Sequence, residues 1–276
     1  MTDVTLASRT ARMVAGYRAR ASTRENPIVN DPWAAALAGE EGLAIAKAYD
    51  DVYPHMELWI AVRTAFIDHQ IRDRTAHGKM RQIVMLGAGF DTRAARLAQS
   101  GVRYFEVDQQ ASHDAKQNAL ANLKDYPIAN ATYVTCDFEN EDFLDRLTAS
   151  GFAIAEPALF VWEGVTPYLT EDAVRTTLHR LAHGTDPRSV VMFDHVRRKI
   201  VTGEVRQQKD LESRAFVADL GEPLRFGIDY PLPLLFEEGF RKIRSTTFDE
   251  ICLDFTGTYE RERAFRFQGM VVASRS

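Results

Sequence analysis

QIVMLGAGFDTRAARL, running from Gln82 to Leu97, joins a short apolar run, a glycine-bearing turn and the start of a helix. Gln82 to Leu86 lacks the period-two alternation of a half-solvated strand, so it reads as a strand buried on both faces. Gly87-Ala88-Gly89 then provides a turn in which the backbone can approach a ligand with no Cβ in the way. A helix is expected from Thr92 to Gln99.

The same grammar repeats downstream. Val102 to Val107 reads as a second strand ending at Asp108, followed by a helix from Ala111 to Leu123. Ala131 to Thr135 is a third strand, ending at Cys136-Asp137, and Ala158 to Trp162 a fourth, ending at Glu163. Thr170 caps a helix with Glu171 and Asp172 in its first turn, Val174, Leu178 and Leu181 along one face, and Gly184 at its end. Ser189 to Phe193 is a fifth strand, ending at Asp194-His195. Strands and helices alternating at this spacing predict an α/β fold with a parallel sheet covered on both faces.

The flanks differ. Residues 1–80 read as helical: an amphipathic helix carrying Leu6, Met13, Val14 and Tyr17, a break at Asn30-Asp31-Pro32, and a helix from Glu57 to Arg74. Asp31 is expected to cap a helix with Pro32 at its first position. After the fifth strand the chain turns polar and helical, an insertion over about 197–230 that reads as a lid. Pro231 to Glu238 should be a helix, and the stretches near Arg241 to Phe248 and Phe267 to Ser274 an antiparallel pair at the sheet edge. The expected division is a helical cap and substrate wall, 1–80, on an α/β domain, 81–276.

Composition narrows the function. Of 276 residues 45% are hydrophobic and 26% charged, and 34 basic against 39 acidic residues leave a formal charge of −5. That balance offers no basic face for phosphates, so nucleic acid is not an expected partner. No apolar run reaches the length of a membrane span. Cys136 and Cys252 stand apart from each other and from any Cys/His cluster, which argues against a disulfide framework or zinc site and for a cytoplasmic location.

Ligands of open parallel sheets bind beyond the carboxyl ends of the strands. Asp108 stands about 20 residues past the glycine turn, where an acid hydrogen-bonds a ribose diol. A dinucleotide's pyrophosphate would want a third glycine, but Thr92 holds that position and Asp91 puts a negative charge in the turn. Asp137 is placed to accept from an adenine amino group, with Phe138 against the ring, and Glu163 to face an ammonium group. Taken singly, each of these acids would read as a helix cap or solvated loop residue. As a set with Gly87, Gly89 and Asp91, they favour S-adenosyl-L-methionine over NAD, whose Rossmann enzymes remain the competing class.

LGAGFDTRAARL (Leu86 to Leu97), FEVD (Phe105 to Asp108), CDF (Cys136 to Phe138) and VWEGVTPYLTEDAV (Val161 to Val174) resemble the motifs of the leucine carboxyl methyltransferase family. The stretch ARMVAGYRARASTRENPIVNDPWAAAL is similar to its bacterial branch, which includes polyketide carboxyl methyltransferases of the tetracenomycin type. The resemblance implies a class I methyltransferase fold: a Rossmann-like, mostly parallel seven-stranded sheet. It also implies that Arg63 holds the cofactor carboxylate, Gly87 the first loop contact, Asp108 the ribose, Asp137 and Phe138 the adenine, and Glu163 the methionine moiety. Tyr168 matches a family tyrosine bordering the acceptor pocket.

The expected activity is therefore O-methylation of a carboxylate on a small molecule or peptide, which leaves S-adenosyl-L-homocysteine. A carboxylate is already ionised near neutral pH and needs no general base. A hydroxyl or phenol acceptor, the alternative, would need one, and His195 at the fifth strand end is the candidate. A non-catalytic cofactor-binding protein is the remaining reading. No metal site is expected.

Overall fold

Seven strands form one sheet in the order β3-β2-β1-β4-β5-β7-β6. The computed structural model describes residues 9–121, 123–138, 140–205, 208–258 and 267–276. The strands are β1 (Gln82–Leu86), β2 (Arg103–Asp108), β3 (Ala131–Thr135), β4 (Ala158–Trp162), β5 (Val190–Val196), β6 (Lys242–Thr247) and β7 (Gln268–Ser274). The first five run parallel, and β7 is antiparallel to both β5 and β6. Every residue of β1 and β4 is buried, as a central strand covered on both faces requires. The chain runs outward from β1 to β3 and returns to β4, so the reversal opens a crevice at the carboxyl ends of β1 and β4.

The sheet is flanked by α1 (Arg9–Ser22), α2 (Ala34–Tyr49), α3 (Met56–Thr75), α4 (Arg93–Arg96), α5 (Gln110–Leu120), α6 (Phe143–Ala149), α7 (Glu171–Gly184), α8 (Arg198–Thr202), α9 (Gln208–Asp219), α10 (Pro231–Glu237) and α11 (Phe248–Thr256). Among the described residues no helix is long and apolar enough to cross a membrane. Both cysteines are buried thiols.

The expected seven-stranded α/β architecture is present, with three local corrections. The helix expected over Thr92 to Gln99 is a single turn, α4, whose Arg93 and Arg96 are drawn to Asp68 on α3. β5 does not stop at Phe193 but continues through Asp194 and His195, because β7 pairs with it as far as Val196. The helix after the Asn30-Asp31-Pro32 break starts at Ala34, not Pro32. Asp31 accepts from the Trp33 N–H at 3.2 Å, but its carboxylate is buried against Arg18 and Thr92. β6 and β7 form the expected antiparallel pair at the sheet edge, with β7 against β5 and β6 outermost. Leu6, assigned to the first amphipathic helix, lies outside the described residues.

Two helices were not anticipated. α6 starts at Asp142, whose side chain accepts from the Leu144 N–H at 2.9 Å. α11 starts at a capping box in which Thr247 and Glu250 satisfy each other's backbone N–H groups.

The N-terminal helices share one apolar core with the sheet: Met13, Tyr17, Trp59 and Ile60 belong to the same buried cluster as Ile83, Met85, Val161 and Met270. α1 and α2 cross where Gly16 meets Gly42; a Cβ on Gly42 would lie 2.5 Å from the Arg12 carbonyl oxygen. On the same face of the sheet, level with Met85 of β1, Glu106 of β2 and Lys116 of α5 form a fully buried ion pair at 2.6 Å. Burial pushes the Glu106 carboxyl up to about 7 against the pull of Lys116.

Candidate functional site

A cavity of about 690 Å³ opens at the carboxyl ends of β1 and β4. Arg63, Gly87, Gly89, Asp91, Asp108, Asp137, Phe138, Glu163 and Tyr168 all border it. His195 does not: side chains alternate along a strand, and Asp194 and Val196 take the cavity side of β5. The His195 ring instead packs on β7, where a Cβ on Gly269 would come within 3.0 Å of its Nε2. Burial there pushes the imidazole pKa down.

One end of the cavity is built by the turns after β1, β2 and β3. Gly87 has φ +68°, and an added Cβ would stand 2.4 Å from Val165 Cγ2. Gly87→Ala therefore combines a left-handed backbone with a clash and is expected to cost about 1–3 kcal/mol of stability, read by urea unfolding. Asp108 accepts from the Gly89 N–H at 2.6 Å and from the Gln109 N–H at 2.7 Å. It thereby ties the glycine turn to the end of β2. Asp137 accepts from Asn140 Nδ2 at 2.8 Å, and Phe138 rests 6.1 Å from the Phe143 ring, which fixes both at the cavity wall.

The other end is charged and dense. Arg63 of α3 donates to Asp194 at 2.6 Å and stands 2.8 Å from Glu163. Arg93 donates to Glu163 at 2.6 Å and to Asp68 at 2.7 Å, and also pairs with Asp91. Burial alone would raise the Glu163 carboxyl, but Arg93 and Arg63 outweigh it and hold the group below the ordinary carboxylate range. For Asp91 the same contest, burial against Arg93 and Lys116, ends at about 2. The negative charge in the turn is thus compensated by Arg93, so it repels a pyrophosphate less than the sequence implies.

The Asp91 shift has a consequence for stability. Its folded pKa, about 2, lies below the usual carboxylate range. The stabilisation it provides is complete above about pH 4 and is lost as pH falls towards 2. Unfolding free energy should fall across that window, and Asp91→Asn should flatten the fall in a series of denaturant titrations.

Another part of the cavity wall is formed by α9 and the residues just after it. Tyr49 and Tyr53, at and beyond the end of α2, bond Ser213 and Asp210 of that helix, and Thr10 of α1 bonds Glu222 just after it. Met56, Trp59, Val217 and Leu224 make this half largely apolar. Tyr168 faces it from a 3-10 turn, and burial pushes its phenol well above the usual range. Among the described residues no cluster of three or more His, Cys, Asp or Glu could hold a metal ion.

Sequence reasoning missed Asp194, Arg93 and the tyrosine clasps of α9. Asp194 was legible as a strand-end acid, but choosing it over His195 required knowing which face of β5 meets the crevice. Arg93 was visible only as part of a motif; its three acidic partners come from separate elements.

Residues 11–182, well over half of the chain, match the model of the leucine carboxyl methyltransferase family. A protein of Mycolicibacterium paratuberculosis, named as a candidate S-adenosyl-L-methionine-dependent methyltransferase, is 34% identical over 246 residues, covering 84% of this chain and 78% of its own. One of Mycobacterium bovis with the same description is 39% identical over 174 residues, 58% of this chain; that match spans only 49% of the relative's length. A crystal structure of a DUF574 family protein from Streptomyces avermitilis superposes with a TM-score of 0.68 at 14% identity, over 97% of both chains. A candidate methyltransferase from Thermobifida fusca gives 0.61 at 14% identity, over 96% of this chain and 93% of its own. At that identity the two structures speak for the fold alone. With the motifs, the sheet order and the family match in agreement, the chain belongs to the leucine carboxyl methyltransferase family of S-adenosyl-L-methionine-dependent methyltransferases.

Proposed function

We propose that the chain is an O-methyltransferase that moves a methyl group from S-adenosyl-L-methionine to a carboxylate of a small molecule or peptide. The cavity residues fit that cofactor. Gly87 leaves backbone room at the first turn, and Asp108 offers a fixed carboxylate for a ribose diol. Asp137 and Phe138 suit an adenine, and Arg63 with Glu163 suits an amino-acid end. Buried Arg63 Nε and Glu163 Oε1 have no aligned hydrogen-bond partner, which leaves both able to take one from a ligand. When bound, the cofactor supplies a methyl group activated on a sulfonium. The work of the chain is to align the acceptor with that methyl and to exclude water, which the α9 roof and the apolar wall do.

The observation that carries the carboxylate reading is the position of His195. A hydroxyl acceptor needs a base, and the histidine that could have served packs on β7 instead of bordering the cavity. His195→Ala is accordingly expected to lower turnover by less than about tenfold, where loss of a general base costs about 100-fold or more. The acceptor class is tested with methyl-labelled cofactor and matched panels of carboxylic acids and phenols. Alkali-labile label, released as methanol, supports an ester product. Alkali-stable label on phenols alone contradicts it.

A further inference from the structure

The part of the cavity walled by α9 carries an acid that the cofactor reading does not use. Glu222, half-buried just after α9, borders the cavity and accepts from the Thr10 hydroxyl of α1. The wall on this side is apolar: Met13, Val217, Leu224 and Phe267 border the cavity and pack into one cluster. Among the described residues that border the cavity, the basic ones are Arg18 and Arg63. Arg18 is paired with Asp31, and Arg63 with Glu163 and Asp194; neither is paired with Glu222. The Glu222 charge is felt at Tyr168, whose phenol is pushed up by burial first and by Glu222 next.

We propose that Glu222 determines acceptor specificity: it pairs with a protonated amine at the far end of an acceptor whose body is apolar and whose other end is the carboxylate that is methylated. This rests on the carboxylate reading above, with the cofactor on the strand-end side of the cavity. When cofactor and acceptor fill the cavity, water leaves the Glu222 carboxylate. A carboxylate shut into an apolar wall with only a neutral hydroxyl beside it is costly. An ammonium group supplies the missing counter-charge through a charge-assisted hydrogen bond. An acceptor ending in a methyl group strands the carboxylate, and one ending in a second carboxylate adds repulsion. The same wall therefore favours the amine and rejects the other two. The transfer itself is unchanged: the acceptor oxygen gains the methyl as the carbon–sulfur bond breaks, no proton moves, and the amine takes no part.

The test gives the full chain and Glu222→Gln methyl-labelled S-adenosyl-L-methionine and three acid series matched in carbon number: ω-amino acids, unsubstituted alkanoic acids and α,ω-dicarboxylic acids. Ester is read as methanol released by alkali. Glutamine keeps an oxygen for the Thr10 hydroxyl, so the substitution removes the charge and leaves that bond. The unaltered chain should esterify the best ω-amino acid with a kcat/KM about 30-fold above that of its alkanoic twin, and the diacid below both. In Glu222→Gln the preference should shrink to less than about threefold, through a higher KM for the amino acid with kcat nearly kept. If the unaltered chain esterifies alkanoic acids as well as amino acids, or the substitution slows both alike, Glu222 does not read the acceptor and the carboxylate reading stands. Calorimetric titration with S-adenosyl-L-methionine and S-adenosyl-L-homocysteine checks the other use of the charge. If Glu222→Gln weakens the first and spares the second, the carboxylate serves the sulfonium and the proposal is overturned. If no acid of the three series yields ester, the carboxylate reading falls and takes the proposal with it.

Discussion

Asp108→Ala is expected to lower affinity for S-adenosyl-L-methionine by about 100-fold, close to 3 kcal/mol, if the proposed ribose contact is made there. The carboxylate has two duties at once. It receives the Gly89 and Gln109 N–H groups, one on each oxygen, fixing the glycine turn against the end of β2, and it borders the cavity. Its removal deletes the acceptor for a ribose diol and leaves the Gly89 N–H without its partner, each a charge-assisted hydrogen bond. Calorimetry reads the affinity, and circular dichroism checks that the fold survives. A loss of less than about fivefold would mean that the nucleoside lies elsewhere.

The second large effect concerns stability. Lys116→Met is expected to cost about 3–5 kcal/mol near pH 8, because Glu106, buried without its cation, must either hold its charge there or take up a proton against the solvent pH. The cost depends on pH with a definite sign. Burial already pushes the Glu106 carboxyl up to about 7, above the usual carboxylate range, and loss of Lys116 raises it further. A raised carboxyl is stabilising below its unfolded pKa, and that contribution is lost as pH climbs through the folded one. At pH 5 the buried group can take up a proton and the variant should recover much of its stability. Urea unfolding at pH 5 and pH 8 separates the two cases; an equal cost at both would show that the lost packing of the lysine, not the stranded charge, is what matters.

The parallel core of the fold was legible because central strands carry their burial in composition. QIVML and ALFVW are apolar without alternation, and each ends at a residue that borders the cavity or immediately precedes one that does. Strand ends in such a sheet converge on one crevice, so Asp108, Asp137 and Glu163 could be read together from their positions alone. The failures share a cause. α4 is a single turn because Arg93 and Arg96 reach Asp68, a residue on α3 that no local pattern connects to them. β5 extends past Phe193 because β7 pairs with it from almost the far end of the chain, and that extension turns His195 away from the cavity. The α11 start is a different case: Thr247 and Glu250 spell a capping box in the sequence, a local signal that was there to be used.

The charged end of the cavity shows the same division. Arg63, Asp91 and Glu163 were each identified, but the residues that bind them to one another, Arg93 and Asp194, arrive from α4 and β5. Sequence position tells which acids stand at strand ends. It does not tell which of them already have a cation beside them, and that decides which charges a ligand meets.

The most direct test of the account is calorimetric titration of the unaltered chain with S-adenosyl-L-methionine, S-adenosyl-L-homocysteine and NAD in parallel. Saturable binding of the first two at a single site, and none of NAD, is the expected result. Binding of NAD alone, or of none of the three, would contradict the assignment of the cavity between Asp108 and Glu163 to S-adenosyl-L-methionine.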